Sequence, residues 1–245
     1  MKAVLLGATG GMGRALSREL AARGDALFLL GRDERALARC AADLEARGAA
    51  APVGHAHCEL LEPEGFAAAL DAADTALGGF DAAVLSAGLF GTQEELEADA
   101  ARRRALLAAN FAHSIEWCEA VRERLLARGG GTLCVFSSVA GERGRKPVVL
   151  YGASKAGLSA YLEGLDHREH ARGLRVVTVK PGFVHTAMTE GLPAPPFAGQ
   201  PEDVARRVVR ALDRGTPVVY APGIWAAVMA VIRRLPRSVM RRVGF

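Results

Sequence analysis

Tyr151 and Lys155 are the two residues of this sequence whose types and spacing point most directly to chemistry. If the segment around them is helical, a spacing of four residues places both side chains on the same face. A tyrosine has an ordinary pKa of about 10, and a fixed ammonium nearby favours the phenolate and lowers that pKa. The pair therefore predicts a phenol that exchanges protons near neutral pH. Taken alone, it would more simply be a buried tyrosine beside a solvated lysine.

Two further features favour the catalytic interpretation of this pair. The first is the dipeptide Ser137-Ser138, which lies thirteen to fourteen residues before Tyr151 and supplies a hydroxyl. The second is a glycine-rich loop close to the start of the chain. Together they indicate a site that binds a phosphate-bearing cofactor and moves a proton.

The glycine-rich loop is placed as a dinucleotide-binding loop should be. An apolar run over 2–6 predicts a buried parallel strand, Gly7, Gly11 and Gly13 follow, and a helical pattern covers 14–23. Glycines allow a tight turn and a close approach of the backbone to a pyrophosphate, and the helix amides point at that charge. The predicted loop contacts to the cofactor are Gly7, Thr9, Gly10, Gly11, Met12 and Gly13.

The end of the second predicted strand, 26–30, indicates which dinucleotide is bound. An acid at this strand tip usually meets a bare ribose, but here Gly31 is followed by Arg32. A guanidinium matches the oxygens of a 2′-phosphate, so the sequence favours NADP(H) over NAD(H). Two alternatives stay open: Arg32 could be an ordinary surface arginine, and Asp33 could still reach the ribose.

The alternation of strand-like and helical segments predicts the fold. The 245 residues fit one α/β domain: a single Rossmann-type, doubly wound parallel sheet with helices on both faces. The predicted strands are 2–6, 26–30, 52–58, 82–86, 132–137, 175–180 and 217–221, and the predicted helices after the first are 34–48, 64–77, 102–127, 150–171 and 202–214. Residues 1–223 form the nucleotide-binding domain, a proline-rich loop over 187–200 lies near the substrate, and 224–245 form a basic amphipathic tail.

Composition narrows the class of protein. The four cysteines show no CxxC spacing, which predicts reduced packing residues in a cytoplasmic protein, and the six histidines offer no metal-ligand spacing. The first apolar run ends at Gly7, so we expect no signal peptide. The net charge of +4 is local, since subtracting the five arginines of the last thirteen residues leaves −1. A nucleic-acid-binding face is therefore not expected.

Several short motifs, taken together, resemble the short-chain dehydrogenase/reductase family over roughly residues 1–190. The motifs are the glycine loop, Ser86-Ala87-Gly88, Asn110, Ser138, Tyr151-x-x-x-Lys155 and Pro181-Gly182. The resemblance implies an NAD(P)-dependent oxidoreductase acting on CH–OH or C=O groups. The gap of thirteen residues to Tyr151, and the position before Val139, favour Ser138 over Ser137.

The resemblance also implies a role for each motif residue. Tyr151 would be the general acid that protonates a carbonyl oxygen, and Lys155 would lower its pKa and bind the nicotinamide ribose. Ser138 would hold the substrate oxygen, and Asn110 would anchor a water that links Lys155 to solvent. Further cofactor contacts are implied at Glu59, Leu60, Ser86, Ala87, Gly88, Pro181, Gly182, Val184 and Thr186. Four positions depart from the usual family pattern, namely Leu6, Glu59, Leu85 and Ser86.

The substrate is less well indicated. Residues 181–192, the prolines after them, and the ending around Trp225 are similar to decaprenylphosphoryl 2-keto-pentofuranose reductases, which form an arabinofuranose donor. A lipid-linked substrate would suit residues 224–232, whose nine apolar positions are too short to span a membrane but could lie on an anionic surface beside the arginines. Alternatively, Trp225, Val228 and Ile232 pack on the domain or on a sister subunit.

The sequence leaves two other functions open. One is a 3-oxoacyl thioester reductase, which uses the same catalytic residues. The other is a non-catalytic NADP(H) redox sensor, which would not need the serine, the tyrosine and the lysine. The family also leads us to expect a homo-oligomer, associating through the two long helices predicted at 102–127 and 150–171.

Overall fold

The core of the protein is one seven-stranded, all-parallel β-sheet with the strand order β3-β2-β1-β4-β5-β6-β7. The structure is a computed structural model that describes residues 1–244, apart from the side chain of residue 51. The strands are β1 (Lys2–Leu6), β2 (Ala26–Gly31), β3 (Ala50–His57), β4 (Ala82–Leu85), β5 (Gly131–Phe136), β6 (Leu174–Pro181) and β7 (Val218–Ala221). The predicted fold class is confirmed.

The strands are apolar on both faces because helices cover both sides of the sheet. In β1, Ala3 and Leu5 face one core cluster while Val4 and Leu6 face the other. This is the period of two expected for a strand, and a parallel sheet buried on both faces needs apolar residues at every position. The continuous apolar runs of the sequence thus follow from the layered architecture.

Two helical layers enclose the sheet. One face carries α1 (Gly11–Ala22), α2 (Glu34–Ala46) and α8 (Pro201–Arg214). The other face carries α3 (Phe66–Leu77), α6 (His113–Ala127) and α7 (Val149–Glu169). The strand order reverses between β1, which starts the β1-β2-β3 half, and β4, which starts the other half. Ligands of doubly wound sheets bind at the carboxyl ends of the strands beside such a reversal.

The helix predicted over 102–127 is more complex than the sequence suggested. A short helix, α4 (Gln93–Ala98), ends at Asp99, whose carboxylate accepts the amides of Ala101 and Arg102 and starts α5 (Ala100–Leu107). A single π-helical turn over Ala108–Ala112 then connects α5 to α6. Such turns are often found at functional sites, and this one contains Asn110.

The carboxyl-terminal segment packs on the rest of the chain. It contains α9 (Ile224–Ile232) and α10 (Arg237–Met240). Trp225, Met229 and Ile232 are buried in a small cluster with Val139. Of the alternatives for this apolar stripe, packing on the domain is therefore the observed one. Phe245, the last residue of the predicted tail, lies outside the described residues.

Candidate active site

A cavity of about 540 Å³ lies at the carboxyl ends of β5 and β6. Its walls come from the segment after β5, the start of α7, the segment after β6, and α9. Hydroxyl groups from Ser138 and Tyr151 line it, among mostly apolar neighbours. Further polar side chains on its walls are those of Thr92, Glu94, Ser137, Arg145, Thr186 and Thr189.

Local structure fixes the positions of both hydroxyl-bearing residues. Ser138 follows β5 and caps a 3₁₀ turn, and its Oγ accepts the amide of Ala140 at 3.1 Å. Tyr151 lies in the first turn of α7, and its ring packs edge-on against Phe90 with 5.1 Å between centroids. Gly141 lets these two segments meet, because a Cβ there would lie 2.6 Å from the carbonyl carbon of Lys155.

The geometry separates the two candidate serines. Ser137 Oγ donates to the backbone oxygen of Lys155 at 3.1 Å and lies 2.7 Å from Ser159 Oγ. Its hydroxyl is therefore occupied in holding β5 against α7. In the described part of the chain, Ser138 Oγ accepts the amide of Ala140 and makes a long contact of 3.4 Å with the backbone oxygen of Pro181. The structure favours Ser138 as the hydroxyl that could bind a ligand.

The sequence predicted a lowered pKa for Tyr151, and on this point it was wrong. Burial raises the pKa of the phenol above its ordinary value, and the nearby Ser138 hydroxyl opposes that rise only in part. Lys155 does not act on it, and its ammonium instead donates to the backbone oxygen of Phe136 at 3.0 Å. Since the phenol keeps its proton at neutral pH, Tyr151 is in the form that can donate one.

Lys155 and Asn110 lie on the side of the site nearest to the sheet. Burial lowers the pKa of Lys155 to about 8. Asn110 is fully buried, and its amide group makes two bonds to the backbone of Leu89, with Oδ1 accepting at 2.8 Å and Nδ2 donating at 2.7 Å. A Cβ at Gly88 would lie 3.0 Å from Asn110 Oδ1 and 3.6 Å from Lys155 Nζ. The π-helical turn thus brings Asn110, Lys155 and the loop after β4 together.

A second, narrower cleft of about 180 Å³ lies across β1, β2 and β4. The glycine loop forms one wall of it, and the segments after β2, β3 and β4 form the rest. The loop leaves no room for side chains, because a Cβ at Gly13 would lie 2.2 Å from the backbone oxygen of Gly7 and 2.4 Å from Ser86 Oγ. Gly7 itself has φ +97°, a conformation that favours glycine. The backbone of this cleft could therefore approach a diphosphate closely.

These observations are accompanied by a family match. Residues 1–195 match the short chain dehydrogenase family. The chain belongs to the short-chain dehydrogenase/reductase family. It is therefore an NAD(P)-dependent oxidoreductase, and the family resemblance found in the sequence is confirmed.

The relatives span almost the whole chain. An uncharacterized oxidoreductase of Mycobacterium tuberculosis is 36% identical over 243 residues, covering 98% of this chain and 96% of the relative. Carbonyl reductase family member 4 of Xenopus tropicalis is 30% identical over 221 residues, covering 85% and 89%. A solved actinorhodin polyketide ketoreductase with NADPH shares the fold, with a TM-score of 0.80 at 22% identity, covering 89% of this chain and 95% of that chain.

The residues that the short-chain dehydrogenase/reductase pattern selects are divided between the two clefts. Those on the narrow cleft are Gly7, Thr9, Gly10, Arg32, Glu59, Leu60, Ser86, Ala87 and Gly88. Those on the larger cavity are Met12, Ser138, Tyr151, Pro181, Gly182, Val184 and Thr186. Met188 lines both, so the two clefts are adjacent. Gly11, Gly13, Asn110 and Lys155 support these walls from behind.

The departures from the family pattern have visible consequences. Ser86 donates through Oγ to the backbone oxygen of Leu6 at 3.2 Å, so it still ties the loop after β4 to β1. Glu59 Oε1 accepts the amide of Leu61 at 3.2 Å, and its Oε2 lies 3.7 Å from Arg32 Nη1. The substitutions therefore leave the strand ends connected.

Arg32 and Asp33 differ sharply in their availability. The carboxylate of Asp33 accepts the amide of Ala36 at 2.9 Å and caps α2. The side chain of Arg32 is 73% exposed at the rim of the narrow cleft, and only the loose contact with Glu59 restrains it. Of these two neighbours, Arg32 is therefore the one free to meet a phosphate.

The side chains of the larger cavity that sequence reasoning missed as site residues include Phe90, Arg145 and Trp225. Trp225 was considered only as part of a tail, yet it packs directly over Gly182, where a Cβ would lie 2.1 Å from its indole Nε1. Its Nε1 donates to the backbone oxygen of Phe197 at 3.3 Å, which ties α9 to the substrate loop. The sequence signal for this contact was Gly182 itself, because a glycine leaves room for a bulky neighbour.

Neither a metal site nor a membrane span is found among residues 1–244. No group of three His, Cys, Asp or Glu side chains in this part of the chain could hold a metal ion. The four cysteines lie apart as buried free thiols. No described helix has both the length and the apolar character needed to cross a bilayer.

Proposed function

We propose that this protein is an NADPH-dependent carbonyl reductase in which Tyr151 is the general acid. The observation that carries the proposal is that Ser138 and Tyr151 line one cavity with Met12 and Thr186, which extend from the nucleotide side. A carbonyl group held there would meet two hydroxyl donors. The name of the carbonyl reductase of Xenopus tropicalis supports the same class of reaction.

In this proposal a nicotinamide dinucleotide spans the two adjacent clefts, with its diphosphate at the glycine loop and its nicotinamide end in the larger cavity. A Cβ at Gly11 would lie 2.6 Å from Thr186 Cγ2, and one at Gly7 or Gly13 would lie 2.5 or 2.2 Å from a backbone atom, so the compact shape of the loop depends on glycine at these positions. The cofactor, when bound, supplies the hydride. Lys155 and the Gly88 loop would hold its ribose, and Thr186 and Val184 would hold its nicotinamide end.

The protein's own residues supply the proton and the polarisation. Ser138 Oγ would donate a hydrogen bond to the carbonyl oxygen, which stabilises negative charge as it develops. Tyr151 would then transfer its phenolic proton to that oxygen, and its raised pKa keeps the proton in place until then. Asn110 fixes the backbone beside Lys155, and in this proposal it also anchors the water that returns a proton through the ammonium.

NADPH is proposed over NADH because of the two side chains that follow β2. Asp33 is engaged at the start of α2, and Arg32 lies exposed at the rim with a loose contact to Glu59. A guanidinium there would pair with a 2′-phosphate. A polyketide ketoreductase of the same fold has been solved with NADPH, which is compatible with this preference.

The substrate that we propose is a lipid-linked keto-sugar phosphate, reached at the surface of a membrane. While one face of α9 is buried, Ile224 and Val231 are 46% and 63% exposed, and five arginines follow the helix. Exposed apolar residues beside basic ones are typical of helices that bind anionic lipid surfaces. We further propose that the protein is a cytoplasmic homo-oligomer, associated with the membrane from that side.

Replacing Tyr151 by phenylalanine tests the proposed function. The loss of a positioned proton donor should reduce turnover by about 10²- to 10⁴-fold, while the affinity for NADPH changes little. The assay is NADPH oxidation with keto-sugars, acyl thioesters and steroid ketones, and binding is followed by NADPH fluorescence. Tyr161→Phe is the matched control, because it removes the same hydroxyl from the same helix, where it bonds Glu119.

The same assay separates the other two functions. Faster turnover of acyl thioesters than of keto-sugars would favour the thioester reductase. If the protein is a redox sensor, the wild-type protein and Tyr151→Phe would both bind NADPH, and neither would show turnover that depends on Tyr151. Unchanged turnover in Tyr151→Phe would contradict the assignment of the general acid.

A further inference from the structure

Arg145 is a half-buried cation that nothing in the described chain neutralises. It lies directly before a 3₁₀ turn over Lys146–Val148, between Ser138 and Tyr151 in the sequence, and its side chain lines the 540 Å³ cavity. Its Nε is buried without a hydrogen-bond partner among residues 1–244. Burial lowers its pKa, and no carboxylate acts in the opposite direction.

The surroundings of Arg145 make this arrangement unusual. Its neighbours of the same charge are both engaged: Arg143 donates to the backbone oxygen of Leu235 at 2.7 Å, and Lys146 donates to that of Arg241 at 2.6 Å. Glu142 pairs with Lys180 at 2.8 Å, away from Arg145. The cavity contains one acidic side chain, Glu94, which is exposed and has no effect on the pKa of Arg145.

A desolvated guanidinium without a partner reduces the stability of a fold. Removing a charge from water without a compensating bond costs free energy, so buried charges are normally paired. An arginine that faces a cavity can recover this cost when an anion binds, and its planar fork suits carboxylate and phosphate oxygens. Because Arg145 and Tyr151 line the same cavity, one small molecule could contact both.

We propose that Arg145 binds an anionic group of the substrate while Ser138 and Tyr151 hold its carbonyl oxygen. This inference rests on the proposed reductase function and narrows its substrate class to carbonyl compounds that carry a carboxylate or a phosphate close to the carbonyl. The mostly apolar remainder of the cavity would contact the rest of the substrate. Arg145 is thus a specificity-determining residue and takes no part in proton transfer.

Matched pairs of carbonyl substrates test the proposal. Acetoacetate is compared with its ethyl ester, and dihydroxyacetone phosphate with dihydroxyacetone, by NADPH oxidation. We expect the wild-type protein to prefer the charged member of at least one pair, and that pair identifies the anion as carboxylate or phosphate. Arg145→Gln should lower kcat/KM for the charged member about 10- to 100-fold, mainly through KM, and leave the neutral member within about threefold.

Lys146→Gln is the control for this substitution. It removes one positive charge from the adjacent residue, whose side chain bonds Arg241 outside the cavity, and should leave the preference unchanged. Arg145→Lys should restore part of the preference, because it restores the charge without the planar fork. Thermal unfolding is measured on the same proteins, and Arg145→Gln should raise the midpoint by a few degrees, since it removes an unpaired, desolvated charge.

Three results would overturn the proposal. The first is a wild-type preference for the neutral members. The second is an equal loss of kcat/KM for charged and neutral members in Arg145→Gln, and the third is a lower unfolding midpoint in that variant. The proposed reductase function fails differently: Tyr151→Phe would then keep full turnover on every substrate, or the wild-type protein would reduce none of them while still binding NADPH.

Discussion

The two clefts of the molecule are built by different means. The narrow cleft at β1, β2 and β4 is formed by backbone segments in close contact, with glycines at the points of nearest approach. The larger cavity at β5 and β6 is formed mainly by side chains, several of them from loops and from α9. The narrow cleft could bind a chemical group that many proteins bind, such as a diphosphate. The side chains of the larger cavity could vary from one relative to another without disturbing the sheet.

The two clefts also differ in how well they tolerate substitutions. At Gly7 and Gly13 an added carbon atom would collide with backbone, so substitutions at these two glycines should affect any dinucleotide equally. In the larger cavity, replacing Arg145 by a smaller residue adds no atom that could collide. We therefore expect changes at the cleft glycines to abolish cofactor binding, and changes in the larger cavity to alter substrate preference.

The largest expected effect is that of Gly13→Ala. The new Cβ would lie 2.2 Å from the backbone oxygen of Gly7, which forces the loop apart and costs about 1 to 3 kcal/mol of stability. NADPH and NADH affinity should both fall by at least about 100-fold, since the amides no longer converge on the diphosphate. Isothermal titration with each dinucleotide measures this, and thermal unfolding measures the strain.

Gly65→Ala is the control for that substitution. A Cβ at Gly65 would meet no neighbouring atom within 4 Å, so the same chemical change extends into open space. If Gly13→Ala bound both dinucleotides as the wild-type protein does, the contrast between the rigid cleft and the adaptable cavity would be wrong.

A smaller effect is expected for Arg32→Ala, which tests the rim of the narrow cleft. A charge-assisted bond to a 2′-phosphate contributes about 1.5 to 3 kcal/mol, so NADPH affinity should fall about 10- to 100-fold. NADH affinity should stay within about threefold, and stability should change little because the side chain is exposed. Arg35→Ala, which alters an exposed arginine on α2, is the control. Equal losses for both dinucleotides would contradict the phosphate assignment.

The smallest effect concerns the outer face of α9. Replacing both Ile224 and Val231 by serine should reduce binding to anionic vesicles about tenfold, because two exposed apolar side chains no longer enter the lipid. Co-sedimentation with phosphatidylglycerol vesicles gives the partition coefficient. Leu107→Ser, on α5, is a control of similar exposure. If the wild-type protein did not bind the vesicles, the membrane contact would be refuted.

The sequence predicted the fold well because the signals for it are local. Apolar runs over 2–6 and 82–86, together with the glycines after the first of them, are typical of buried strands in a dinucleotide-binding fold. The strands observed at Lys2–Leu6 and Ala82–Leu85 match those runs closely. The π-helical turn inside 102–127 was missed, since Asn110 carries no strong helix-breaking signal. A π-helical turn depends on what the buried Asn110 bonds elsewhere, here the backbone of Leu89.

The larger cavity was predicted less completely. Tyr151 and Ser138 were found because their spacing is a pattern, but Arg145 and Trp225 enter the cavity only through tertiary packing. The pKa of Tyr151 was assigned the wrong direction for a related reason. The spacing of four residues places Lys155 on the same face of α7 as Tyr151. The backbone oxygen that its ammonium bonds, however, belongs to Phe136 at the end of β5.

The contact between Gly182 and Trp225 has a practical consequence for anyone handling this protein. Cutting the chain after Gly223 would remove a wall of the larger cavity, and would also release the loop that Trp225 ties at Phe197. Substrate assays on such shortened proteins would therefore describe a different pocket. For the same reason, two homologues with identical proton donors but different carboxyl-terminal segments should accept different substrates.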